Sequence, residues 1–169
     1  MNTTSEVLVY LDFKDDNLVL FPTDVSGMVY LVTTHVTSHY VRSFIVIHSG
    51  SEAVNVSISV PETCLTSNIT IDDVDYTGVP HINVTLQTHT VLGVLCSCDL
   101  SGALVVSNLP VVVFSGSIVK DDAKTGTIDQ IPARFTFGKR YLYPAHDWIL
   151  ENITVILTGN ALITEIMND

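Results

Sequence analysis

The sequence predicts an all-β fold of short antiparallel strands in repeated units, on three observations. Val, Ile, Thr, Tyr and Phe dominate, polar and apolar residues alternate strictly through several segments, and Gly, Ser, Asn and Pro punctuate the chain at short intervals. No segment sustains the 3.6-residue period of an amphipathic helix. Apolar residues make up 47% of the 169 and charged residues 15%, which places the chain far from compositions too polar to bury a core.

Strands are predicted at Glu6 to Phe13, Asn17 to Phe21, Val29 to Thr34 and Phe44 to His48. Ala53 to Val60 is the clearest of all: Val54, Val56, Ile58 and Val60 alternate with small or polar residues, as one buried sheet face requires. Asn68 to Asp72 follows, then His81 to Gln87 with the same alternation, then Thr90 to Cys96, Ala103 to Ser107 and Val111 to Ser115. Ala133 to Phe137, Arg140 to Tyr143, Ile153 to Leu157 and Ala161 to Glu165 complete the set. Turn chemistry separates them at Ser49-Gly50, Thr77-Gly78, Ser101-Gly102, Asn108 to Pro110, Ser115-Gly116 and Thr158-Gly159.

The strand order repeats. Val7 to Leu11, Asp15-Asp16, Phe21-Pro22, Gly27 to Leu31 and Phe44 to Gly50 are echoed by Val111 to Ser115, Asp121-Asp122, Ile131-Pro132, Gly138 to Leu142 and Ile153 to Gly159. This divides the chain into a first β unit at 1–118, begun inside the repeat, and the start of a second, incomplete one at 119–169. Each unit suits either propeller-blade-like four-stranded sheets of roughly 45 residues or a β-sandwich.

A net charge of −11 repels phosphate backbones, so nucleic acid is not an expected partner. No apolar run reaches the roughly 18 to 20 residues of a helical membrane span. Met1 to Glu6 have neither the basic start nor the apolar segment of a secretory leader, and they run straight into a strand pattern. The expectation is a portion of a larger multidomain chain.

Common catalytic signatures are missing: there is no nucleophile elbow, phosphate loop, dinucleotide glycine fingerprint or His-Glu-x-x-His motif, and no enzyme, metal or cofactor is expected. His35 and His39 have a spacing that suits metal ligands on a helix, but they follow a strand. Asp73-x-Asp75-x-Thr77-Gly78 opens like a calcium loop, yet Val84 stands where the closing acid belongs, leaving an acidic turn. Asp12, Asp15 and Asp16 are read as solvated turn charges. Three cysteines, Cys64, Cys96 and Cys98, allow at most one internal disulfide, with Cys64 to Cys96 or Cys98 as the candidates, and the leading reading is three small buried or half-buried thiols.

The strongest chemical signal is a set of N-glycosylation sequons at Asn2, Asn55, Asn68, Asn83 and Asn152. Alternation puts Asn55, Asn68 and Asn83 on the polar faces of their strands, where a glycan projects into water.

The stretch from Asp99 to Gly116, containing Ser107-Asn108-Leu109-Pro110-Val111-Val112-Val113-Phe114-Ser115-Gly116, followed by Gln130-Ile131-Pro132 and Phe137 to Pro144, resembles the IgGFc-binding domain family of secreted mucus glycoproteins. Val7 to Leu11, Leu18 to Pro22 and Gly27 to Val32 resemble segments of a preceding repeat of that family. The resemblance implies a secreted, non-catalytic binding or adhesion module with a protein or glycan ligand, immunoglobulin Fc among them. The family's cysteines after this strand have no counterpart in Ser117 to Gly126. The alternative is a structural component of a mucus, adhesive or matrix material, joined through strand edges and free cysteines.

Overall fold

A computed structural model describes residues 9–12, 17–34, 36, 41–119 and 122–137. The chain divides into two compact units, Met1–Phe137 and Gly138–Asp169, and every described residue lies in the first. Arg140 to Tyr143, Ile153 to Leu157 and Ala161 to Glu165, with most of the second repeat copy, fall outside the described residues, as do Asp15, Asp16, His35 and His39.

The all-β, antiparallel class holds. Among the described residues there are eleven strands and no helix beyond three short 3-10 turns. Strands β1 (Val9–Asp12) and β2 (Asn17–Leu20) form a hairpin of their own. The others are β3 (Gly27–Leu31), β4 (Val41–Ser49), β5 (Val54–Ser59), β6 (Ile69–Ile71), β7 (Val74–Tyr76), β8 (His81–Leu86), β9 (Val91–Cys96), β10 (Leu104–Val119) and β11 (Asp122–Gln130). All nine join one sheet, ordered β7-β6-β9-β4-β10-β5-β8, with β3 and β11 also on β10, and the sheet curls into a half-barrel.

The sheet exceeds the expected four-stranded blades because β10 runs for sixteen residues and serves four partners. Its first half pairs with β5 and β3, its second with β4 and β11. Asn108 to Pro110, expected to be a turn, lies instead within this strand. The β3 register shifts between Val106 and Val111, so the proline, which has no N–H to give, sits where that ladder is interrupted. Ser115-Gly116, also expected to be a turn, lies inside the β10 pairing with both β4 and β11. Residue 118, where a unit boundary was expected, is likewise paired, with Arg42 and Gly126.

The alternation seen in the sequence is realised as burial. Val54, Val56 and Ile58 of β5 and Ile82 and Leu86 of β8 face inward, joined by Ile45 and Ile47 of β4, Leu92 and Val94 of β9, and Val105, Val111 and Val113 of β10. Serines also turn inward, three of them donating to backbone carbonyls. Ser43 Oγ donates to the Cys98 carbonyl (2.6 Å), Ser49 Oγ to Gln87 (2.6 Å) and Ser115 Oγ to Thr33 (2.5 Å), which offsets the cost of burying a hydroxyl.

Two further segments depart from expectation. Ala133 to Phe137 contains a 3-10 turn at Arg134–Thr136 rather than a strand, and both the backbone N–H and the hydroxyl of Thr136 donate to the Ala133 carbonyl. The acidic turn is a hairpin: Ile71 pairs with Val74 while Asp72 and Asp73, at φ 47° and 65°, form the two-residue connection between β6 and β7. Asp75 therefore lies on β7 and not in a cation-binding loop.

Tyr30 ties β3 to β10. Its buried hydroxyl accepts the Gly27 N–H (2.7 Å) and donates to the Val111 carbonyl. Tyr30→Phe strands both backbone groups and is expected to lower stability by about 1–3 kcal/mol, read from the urea midpoint. Burial raises the Tyr30 pKa above the ordinary 10.0, against the lowering effect of the Gly27 N–H. Its folded value exceeds its unfolded one, so the stability it contributes is complete below about pH 10 and is lost as pH rises through the raised folded value. Tyr30→Phe is expected to remove that component of the alkaline fall in the urea midpoint.

Candidate functional site

The residues with the clearest functional chemistry converge on the outer face of β5, β8 and the first half of β10. Antiparallel register sets Asn55 opposite Thr85 and Ser57 opposite Asn83. Two sequons, Asn55-Val56-Ser57 and Asn83-Val84-Thr85, thus lie side by side in opposite directions, each asparagine facing the hydroxyl residue of the other. The strand period of two places all four on one face, with Val54, Val56, Ile58 and Ile82 buried on the other.

Asn55 is exposed; Thr85 Oγ1 donates to its Oδ1 (2.8 Å), and its backbone N–H donates to Asn108 Oδ1 (2.7 Å). The carbonyl oxygen of the Asn55 side chain is the atom engaged there, not the amide nitrogen to which a glycan attaches. Asn83 is also exposed. With Ser107 and Asn108 these residues line a shallow groove of ≈ 500 Å³, whose accessible wall is mainly apolar, with Val56, Val84 and Val106 beside the amides and hydroxyls.

Asn68 is exposed just before β6. Thr77 Oγ1 donates to its Oδ1 (3.3 Å), while hydrogen bonds from Asn68 and then Thr70 hold the Asp75 carboxyl below the usual carboxylate range. The Thr70 Oγ1 to Asp75 distance is 2.8 Å. Asn2 and Asn152 lie outside the described residues.

A second groove of ≈ 430 Å³ lies by the loops after β4 and β8, with Thr23, Ser26, His48, Glu52 and His89 in its wall. The two histidines and the acid are not among groups close enough to share a metal ion; among the described residues only the cysteines are.

Cys64 ends the 3-10 turn Glu62–Cys64, Cys96 ends β9, and Cys98 follows two residues later. All three sulfurs lie within 4.8 Å of one another, with Cys64 and Cys96 buried and Cys98 half-buried. The structure joins Cys98 to Cys64, Cα atoms 5.5 Å apart, and brings Cys96 into bonding contact with Cys98 as well, Cα atoms 5.2 Å apart. A sulfur forms one disulfide at a time, so the set holds one disulfide and one thiol.

Sequence reasoning placed the asparagines on polar faces but missed their cross-strand pairing and the part played by Asn108. The signal was present in the matching alternation of Ala53 to Val60 and His81 to Gln87, but alternation gives a face and not a partner or register.

Among the described residues no helix is long and apolar enough to cross a membrane. A family model described as IgGFc binding protein matches residues 16–160. No curated protein and no solved structure matches the chain.

Proposed function

The chain belongs to the IgGFc-binding protein family, and from that premise we propose that it is a secreted, glycosylated, non-catalytic module that binds a protein or glycan ligand in adhesion or mucosal barrier function. The family match over residues 16–160 carries this reading, and immunoglobulin Fc is the first ligand to test. A net charge of −11 favours ligands without dense negative charge.

The decisive experiment immobilises the full chain and measures binding of purified Fc fragment and of a glycan panel by interferometry. Saturable binding to either supports the module; a flat response to both removes the reading. Expressed through a secretory pathway, the chain is expected to carry glycans at Asn55, Asn68 and Asn83. Each Asn→Gln change should then remove one step from the enzymatic deglycosylation ladder on a gel, and an unchanged ladder for all three would show that the sequons are unused.

In the structural alternative, chains crosslink through free cysteines. The burial of Cys64 and Cys96 weighs against disulfides between chains, and we favour the binding module.

A further inference from the structure

We propose that Cys64, Cys96 and Cys98 form an intramolecular thiol–disulfide exchange site in which Cys98 is the shared sulfur and Cys64 and Cys96 alternate as its partner. The chain has three cysteines, so a single internal disulfide leaves one thiol over. An odd thiol in an oxidising compartment ordinarily pairs with another molecule. Here it is enclosed, because Cys64 is 0% and Cys96 1% exposed.

Both pairings fit the backbone. The Cys64 to Cys98 and Cys96 to Cys98 Cα separations, 5.5 and 5.2 Å, fall inside the range of roughly 4.4 to 6.8 Å that a disulfide spans. The three sulfurs are within 4.8 Å of one another, so exchange needs side-chain rotation and not refolding.

Each form also has a partner for its leftover sulfur. When Cys64 is bonded to Cys98, the backbone N–H of Cys98 donates to Cys96 Sγ (3.2 Å). When Cys96 is bonded to Cys98, the Cys64 thiol has the Asp99 carbonyl as acceptor (3.1 Å). Exchange is redox-neutral. The Cys96 thiol loses its proton and its sulfur attacks Cys98 Sγ; the Cys98–Cys64 bond breaks, its electron pair stays on Cys64 Sγ, and that sulfur takes up a proton.

The two forms differ in what they tether. The Cys64–Cys98 bond spans 34 residues and fixes the 3-10 turn Glu62–Cys64 to the end of β9, whereas Cys96–Cys98 closes within two residues and frees that turn. The exchange thus loosens or fastens the connection from β5 to β6 with no external oxidant or reductant.

The test is disulfide mapping of the full chain produced under oxidising conditions, trapped by maleimide in acidic denaturant and digested at aspartates. Asp72, Asp73 and Asp75 separate Cys64 from the peptide holding Cys96 and Cys98, and fragmentation locates the label. The expected result is one label per chain, divided between Cys64 and Cys96, with Cys98 always in a cystine. Cys64→Ser and Cys96→Ser should each keep a cystine through Cys98 and carry no label. The proposal is overturned by label confined to one cysteine, by label on Cys98, by a cystine between chains, or by three labelled cysteines with a soft metal ion bound. Should either variant fail to fold, the wild-type distribution alone decides.

Discussion

Gly116→Ala is expected to lower the melting temperature by on the order of 10 °C or more, among the largest effects of any single methyl group added to the described residues. Gly116 lies mid-β10, paired with Phe44 on one side and Ile128 on the other. A Cβ there would collide with the backbone carbonyl of Thr127 and would come within 2.9 Å of the Phe44 ring. The phenyl ring can turn aside, but the carbonyl belongs to the β11 ladder and moves only if the strand moves. Gly126 answers from β11, where a Cβ would meet the Ser117 carbonyl, so these two glycines let β10 and β11 approach each other. Overpacking against backbone costs at least about 3 kcal/mol, a melting shift on the order of 10 °C for a chain of this size. Gly50→Ala is the control, since nothing lies within 4 Å of its added Cβ. Thermal denaturation by circular dichroism decides: near-equal melting of Gly116→Ala and Gly50→Ala would show that β11 does not pack against β10 as described.

Ile47→Ala should cost about 2–5 kcal/mol by opening a cavity that its neighbours cannot fill. Ile47 is fully buried in the second half of β4, in register with Leu92 of β9 and Val113 of β10, which are fully buried themselves. All three sit on strands pinned by ladder hydrogen bonds, so the site has little freedom to collapse. Val91→Thr, on the adjacent strand, is the comparison. Val91 is 58% exposed, and threonine keeps the β-branch, so a change within about 0.5 kcal/mol is expected. A smaller loss in the urea midpoint for Ile47→Ala than for Val91→Thr would mean that the inner and outer faces of this sheet have been exchanged.

The segments legible in the sequence are those whose burial is one-sided. Ala53 to Val60 became β5 and His81 to Gln87 became β8, within a residue of the pattern at each end, because a strand with one face in water must alternate. β11 was missed entirely: Asp122 to Gln130 is polar and lacks that alternation, and it is a strand because the long β10 offers an unpaired side. β7 was likewise hidden in Val74 to Tyr76, read as part of an acidic turn, since three residues are too few to establish a period. Turn chemistry misled where it coincided with another need. Pro110 and Gly116 look like punctuation, but one tolerates a break in the ladder and the other makes room for a neighbouring strand.

By itself the sequence determined the all-β class, the inward aliphatic rows, the outward asparagines and the odd cysteine count, because each depends on residue type and spacing within a few positions; the resemblance to the IgGFc-binding family was carried by longer stretches such as Asp99 to Gly116. Only the tertiary structure decided that nine strands share one curled sheet, that the Asn55 and Asn83 sequons face each other, and that Cys98 stands between Cys64 and Cys96. Those outcomes depend on which distant strands pair and in what register, and pairing is settled by the closing of the whole core rather than by any local run of residues.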